Sequence, residues 1–148
     1  MKKNGFSLVI LLLFYISSCA PSRELNQADL KDYYSRALAN ANLGKYQQAI
    51  KDFDSVIELD PNHITSYYNR GLAYSILRKY KKALTDFNKV IKLNSSSADA
   101  YGSRGNVYYN LKQYGNALID YNKAIALNPS DSGSNKNRAK LYKILENK

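Results

Sequence analysis

A 34-residue period runs through this chain of 148 residues and constrains its fold before any single residue is weighed. Tyr33, Tyr67 and Tyr101 form one register, and Ala37, Gly71, Gly105 and Ala139 form a second, four residues further along each unit. Leu43, Leu77, Leu111 and Leu145 follow, then Tyr46, Tyr80 and Tyr114, then Ala49, Ala83 and Ala117, then Phe53, Phe87 and Tyr121. Within a unit, apolar or small residues recur at three- and four-residue steps through two segments, which is the period of a helix and not of a strand. Each unit is therefore expected to be a helix, a tight turn and a second helix.

These registers resemble the tetratricopeptide repeat, which places an aromatic, a small residue and an aromatic on its first helix, and Ala, an aromatic and Pro on its second. The middle unit supplies Tyr67, Gly71, Tyr74, Ala83 and Phe87 at these steps, with Ser95 in place of the closing Pro; Pro61 and Pro129 close the other two. The first unit has Asn40 where the family has an aromatic, which predicts looser packing of its first helix. The resemblance implies an all-α fold, an α-solenoid of three repeats at about 30–63, 64–97 and 98–131, with a C-terminal capping helix at 132–147, in a domain spanning 30–148. Small residues at Ala37, Gly71 and Gly105 let two helix backbones approach. One helical pair cannot bury its apolar face alone, so about three units and a cap are the minimum for stability. Arg138, Ala139, Tyr142 and Leu145 repeat the first-helix pattern in that cap, and Lys136, Lys140 and Lys143 keep it soluble.

Residues 1–18 do not fit the repeat and read as an export signal. Lys2 and Lys3 precede an 11-residue, mostly apolar stretch from Phe6 to Ile16, and Ile16-Ser17-Ser18-Cys19 then places small residues before a cysteine. This resembles the lipobox of bacterial lipoproteins, which implies cleavage before Cys19 and acylation of that residue. Cys19 is the only cysteine. An uncleaved anchor would need about 20 apolar residues, and a stray free thiol is unusual in an exported protein. The resemblance thus implies a chain held in the cell envelope by acylated Cys19, with residues 19–29 as a tether that reaches at most about 35 Å beyond the lipidated end. Ala20 follows the cysteine, whereas Asp there is the usual inner-membrane retention signal in enteric bacteria, so the resemblance favours the outer membrane, facing the periplasm.

The formal net charge is +10, and removing Lys2 and Lys3 leaves +8. Such a surface is drawn to anionic membranes and polymers. The lysines fall mostly in turns and outward positions, such as Lys45, Lys79, Lys81 and Lys82, with no basic cluster between stacking aromatics, so nucleic acid is not an expected partner. Arg36, Arg70, Arg104 and Arg138 form a ladder at the repeat period, as do Asp52, Asp86 and Asp120. Half-buried charges are usually paired. If pairs join each second helix to the next first helix, Arg36 is left over; if they lie within a unit, Arg138 is.

In the tetratricopeptide family the first helices line a concave groove. Its ligand-facing positions carry over to Lys31, Tyr34, Leu38, Ala41 and Asn42, then to Thr65, Tyr68, Leu72, Ser75 and Ile76, then to Asp99, Gly102, Asn106, Tyr109 and Asn110. Lys136, Lys140 and Lys143 come from the cap. Of 14 tyrosines, one lies in the signal, ten occupy signature positions expected in the core, and Tyr34, Tyr68 and Tyr109 map to the groove. Tyrosine offers large contact area with few rotors to freeze and is enriched where proteins bind proteins. A protein or peptide with some acidic character is the expected partner, unless Tyr34 and Tyr68 merely fill space between first helices. The carboxylate clamp of chaperone-binding members is absent: its positions hold Tyr34, Leu38, Asp99 and Ser103, and only Asn69 matches.

His63, the single histidine, is expected in an exposed turn, and no nucleophile-base pair, phosphate loop or metal-ligand cluster is present in the sequence. No enzyme activity, metal or cofactor is expected. The reading that emerges is a lipid-anchored adaptor in envelope assembly or cell-wall maintenance. A basic membrane-proximal module that binds an anionic polymer or lipid head groups is the alternative, and self-association through the solenoid's ends is left open.

Overall fold

The computed structural model describes residues 27–147, so the expected signal, Cys19 and most of the tether lie outside the described residues. Seven helices follow one another: α1 (Gln27–Asn42), α2 (Tyr46–Leu59), α3 (Ile64–Ile76), α4 (Tyr80–Leu93), α5 (Ala98–Asn110), α6 (Tyr114–Leu127) and α7 (Ser132–Glu146). The all-α repeat fold expected from the sequence is the observed one.

The core forms where the helical period brings small and aromatic residues to one crossing. Ala49, Phe53 and Val56 on α2, Ala83, Phe87 and Val90 on α4, and Ala117, Tyr121 and Ala124 on α6 are all buried. Each aromatic ring sits over the small residue of the first helix, and burying a ring of that size contributes about 2–3 kcal/mol. A Cβ on Gly71 would lie 2.9 Å from Cε1 of Phe87, and one on Gly105 would lie 2.8 Å from Cε1 of Tyr121. Glycine at these two positions is therefore a packing requirement.

Of the ten signature tyrosines expected in the core, only Tyr74 and Tyr121 are buried; seven are half-buried and Tyr142 is 46% exposed. The solenoid is two helices thick, so a ring at the crossing keeps one face near water, and cations cover several of those faces. The guanidinium of Arg36 lies 5.2 Å from the Tyr33 ring centre, and those of Arg70 and Arg104 lie 5.4 Å from Tyr67 and Tyr101. In α7 the face that other units cover with a second helix is open. Ala139, Tyr142 and Leu145 are consequently exposed, and Leu141, fully buried, ties the helix to its neighbour.

The arginine ladder pairs within units. Arg36 Nη2 reaches Asp52 Oδ1 at 2.5 Å, Arg70 Nη2 reaches Asp86 at 2.6 Å, and Arg104 Nη2 reaches Asp120 at 2.7 Å. Each Nε adds a second bond to the same carboxylate. Nη1 then crosses to the preceding unit: Arg70 to Asp54 at 2.6 Å, Arg104 to Asn88 at 2.6 Å, Arg138 to Asn122 at 3.0 Å. Arg138, the arginine left over, thus keeps only the backward half of the ladder. The looser packing expected around Asn40 is not seen at the crossing itself, where Ala37, Ala49 and Phe53 are fully buried, and the difference in unit one lies at the ion pair. The Asn40 amide bonds Asp52 at 3.1 Å but is too short to shield the ion pair, leaving the Arg36 side chain 60% exposed against 17% for Arg70.

The connections alternate between two edges. Three-residue turns join helices within a unit, and their middle residue is left-handed: Gly44 (φ 72°), Arg78 (58°) and Lys112 (59°). For Arg and Lys this conformation costs about 1 kcal/mol each. Four-residue loops join successive units and begin with Asx turns, in which Asp60, Asn94 and Asn128 accept from the backbone N–H two residues on. Asn94 makes this turn without the closing proline that Ser95 replaces. Each loop ends in a helix cap: His63, Ser97 and Asp131 accept from the first turns of α3, α5 and α7.

Candidate functional site

The α3–α5 and α5–α7 pairs pack directly on each other, whereas the principal contacts of each second helix are with first helices. First helices therefore line the inner, concave face of the stack.

The structure divides the expected groove residues into two groups. In the N-terminal half the side chains are largely consumed by packing. Tyr34 is half-buried, 6.2 Å from the Phe53 ring and edge-on to His63 at 5.0 Å, and its hydroxyl accepts from Asn69 Nδ2 at 3.4 Å. Tyr68 repeats this one unit later, 5.9 Å from Phe87, with its hydroxyl 3.2 Å from Ser103 Oγ. Burial pushes the Tyr68 phenol above the usual tyrosine range. Leu38 and Leu72 join the hydrophobic clusters beneath, while Asn42 and Ile76 are exposed at the helix ends. His63 is a half-buried cap and not the exposed turn residue expected: its Nδ1 faces Ser66 Oγ at 2.9 Å and the Ser66 N–H at 3.3 Å.

The C-terminal half is open, because Gly102 occupies the register of Tyr34 and Tyr68. A Cβ on Gly102 would lie 2.8 Å from Ser134 Oγ of α7, so a side chain there would have to displace that hydroxyl. The missing ring leaves a shallow pocket of about 150 Å³ bounded by Tyr68, Asp99, Ser103 and Asp131. It adjoins, through Asn106 and Asn137, a larger pocket of about 280 Å³ lined by Tyr109, Asn110, Tyr121 and Lys140. Asn106 and Asn137 bond each other at 2.8 Å, and Tyr121 donates to Asn106 at 2.8 Å, so the amide pair is fixed in orientation. Tyr109 lies 5.8 Å from Tyr114, and Lys140 Nζ stands 5.3 Å over its ring. Lys136 and Lys143 are exposed on the same helix.

The floor is thus amide and phenol, with a lysine at one side and Asp99 and Asp131 at the other. Hydrogen bonds from Ser134, together with the backbone N–H groups of Ser134 and Gly133, hold the Asp131 carboxyl below the usual range, so that side stays anionic. Fixed amides both donate and accept, which suits a peptide backbone. Asn137, Ser103 and Asp131 were not among the residues expected from sequence. The signal that could have found them is the break from Tyr to Gly at position 102 of an otherwise aromatic register. Among the described residues, no group of three or more His, Cys, Asp or Glu side chains could hold a metal ion.

Known proteins share this fold. The first tetratricopeptide domain of Spaghetti (RPAP3), bound to the HSP90 peptide SRMEEVD, is 26% identical, with a TM-score of 0.78 over 82% of this chain and 96% of that one. MamA from Desulfovibrio magneticus RS-1 is also 26% identical, with a TM-score of 0.76 over 93% of this chain and 76% of that one. A segment of 39 residues, 26% of this chain, is 41% identical to serine/threonine-protein phosphatase 5 of Rattus norvegicus, of which it spans only 8%. The tetratricopeptide repeat profile matches residues 31–63, 64–97 and 98–131, and with buried small-aromatic crossings in every full unit the chain belongs to the tetratricopeptide repeat family.

Proposed function

We propose that this chain is a non-catalytic scaffold that seats a protein or peptide partner in the C-terminal half of its concave face while acylated Cys19 holds it to a membrane of the cell envelope. The observation that carries the reading is the open, amide-floored pocket pair created by Gly102, next to a first-helix groove otherwise closed by Tyr34 and Tyr68. A neighbour of the same fold seats a seven-residue peptide. That neighbour's peptide, SRMEEVD, has acids at three of its last four positions, which Asp99 and Asp131 would repel here, so the partner supplies a segment of different chemistry. Anchoring rests on the Ile16-Ser17-Ser18-Cys19 sequence, with the outer membrane, facing the periplasm, as the proposed site. Restriction to that surface raises a partner's effective concentration without any new contact.

Two experiments test the two halves. A photo-crosslinking amino acid at Asn110, in the pocket, is expected to capture a partner that the same probe at Ile119, on the exposed outer face, does not, with capture reduced by Lys140→Glu. Equal capture from both sites defeats the groove reading. Metabolic labelling with an alkyne fatty acid is expected to mark the wild type and not Cys19→Ala, and label on neither version defeats the anchor.

A further inference from the structure

The two edges of the solenoid differ in charge: one is strongly basic and the other mixes acids with lysines. The edge formed by the turns within units bears Lys45, Arg78, Lys79, Lys81, Lys82 and Lys112, all exposed. Among the described residues, only Glu146, at the end of α7, opposes them there. The edge formed by the loops between units bears Asp29, Asp32, Glu58, Asp60, Asp99 and Asp131, interspersed with Lys31, Lys89, Lys92, Lys123 and Lys136. Two further observations single out the basic edge. First, the left-handed turn position is Gly44 in unit one but Arg78 and Lys112 in units two and three. Glycine relieves that strain at no steric cost, so the sequence accepts strain at the two positions where it sets a cation at the tip of the turn. Second, apolar side chains stand in water among these cations: Leu43 is 68% exposed, Ile76 56% and Leu145 39%.

We infer that this edge docks on an anionic lipid surface, with the turn-tip cations on phosphate head groups and Leu43 and Ile76 entering the acyl boundary. A soluble polyanion would satisfy the cations but would give the leucine and isoleucine nothing, whereas cations flanking exposed apolar side chains are the composition of an interfacial membrane contact. Between the turns lies a shallow pocket of about 370 Å³ walled by Arg78, Lys79, Lys81, Lys82, Tyr80 and Leu111, where a head group has cations on one side and apolar surface on the other. The inference stands independently of the groove, which opens on a different face.

The test is flotation of the full chain carrying Cys19→Ala, which prevents acylation, with vesicles of phosphatidylcholine alone or in equal parts with phosphatidylglycerol. Every version shares residues 1–18, so their contribution cancels between variants. Arg78→Gly/Lys112→Gly relieves the turn strain and is expected to unfold at a higher temperature while binding anionic vesicles about thirtyfold more weakly, each cation near such a surface contributing roughly fivefold. Leu43→Ser/Ile76→Ser is expected to weaken binding as well, and Lys31→Gln/Lys92→Gln, on the other edge, to leave it unchanged. Equal binding by wild type and the glycine double variant overturns the inference. Full binding by Leu43→Ser/Ile76→Ser also overturns it, in favour of a polyanion on the same cations.

Discussion

Gly105→Ala is expected to reverse the usual sign of a glycine-to-alanine change in a helix. In an open helix interior the substitution stabilises by about 0.5–1 kcal/mol, by reducing the freedom of the unfolded chain and improving propensity. At Gly105 the new methyl would lie 2.8 Å and 2.9 Å from Cε1 and Cδ1 of Tyr121 and 3.3 Å from Cβ of Asp120. The ring cannot withdraw cheaply, since it is 1% exposed and its hydroxyl is held by Asn106 at 2.8 Å, while Asp120 is held by Arg104 through two bonds. Overpacking of this kind costs about 1–3 kcal/mol; three close contacts with groups that cannot move put this site in the upper half of that range, and subtracting the propensity gain leaves a net loss of about 1–2 kcal/mol. For a domain of this size that lowers Tm by roughly 3–10 °C. The control is Gly115→Ala, in the first turn of α6, where nothing lies within 4 Å of the new Cβ and a small gain is expected. Urea unfolding followed by helical circular dichroism measures both. If Gly105→Ala gains stability alongside Gly115→Ala, the close approach of α5 and α6 does not need glycine and the packing argument fails.

Removing the carboxylate of Asp86 strands the Arg70 guanidinium, 17% exposed, with only Asp54 for a partner, so Asp86→Ala is expected to cost about 3 kcal/mol. Asp52→Ala, facing the largely exposed Arg36, should cost far less, and equal losses in urea unfolding would show that burial does not grade the ladder. The Asp131 carboxyl is depressed when folded, so the folded chain binds fewer protons there than the unfolded one. Its contribution is fully present above the ordinary carboxylate value near 4 and fades as pH falls through the depressed folded value. Asp131→Asn is therefore expected to flatten the acid limb of a thermal-stability profile, and an unaltered limb would assign acid sensitivity to other groups.

The registers legible in the sequence were those that depend on a helix and its immediate partner. The 34-residue period marks Gly71 and Gly105 as the small residues of a helix crossing, because a three- and four-residue repeat decides which side chains share a face wherever the helix is put, and the structure sets Phe87 and Tyr121 over them. The arginine and aspartate ladders are visible in the sequence, but two pairings are open there, and only the crossing geometry shows that the ladder pairs within units through Nε and Nη2, while Nη1 reaches a residue outside the ladder, Asp54 in the case of Arg70. The tyrosines were overread as core, since periodicity reports which side faces the partner helix and not how much water remains at the edge of a two-layer stack. The sequence does not mark His63 as a cap, because a cap is defined by backbone direction, which a lone histidine after Pro61 and Asn62 does not reveal.

By itself the sequence determined the repeat, the helical content, the small-aromatic crossings and the cations of the turns, all properties that survive translation along the solenoid axis. The tertiary structure decided what varies from unit to unit: that Tyr34 and Tyr68 spend their hydroxyls on the next first helix, that Gly102 opens a pocket beside Ser134 of α7, and that turn-tip cations gather on one edge. The physical reason is that each of these depends on distances between units. A period fixes which residues are equivalent, while the packing of each unit on the next fixes what equivalent residues can reach.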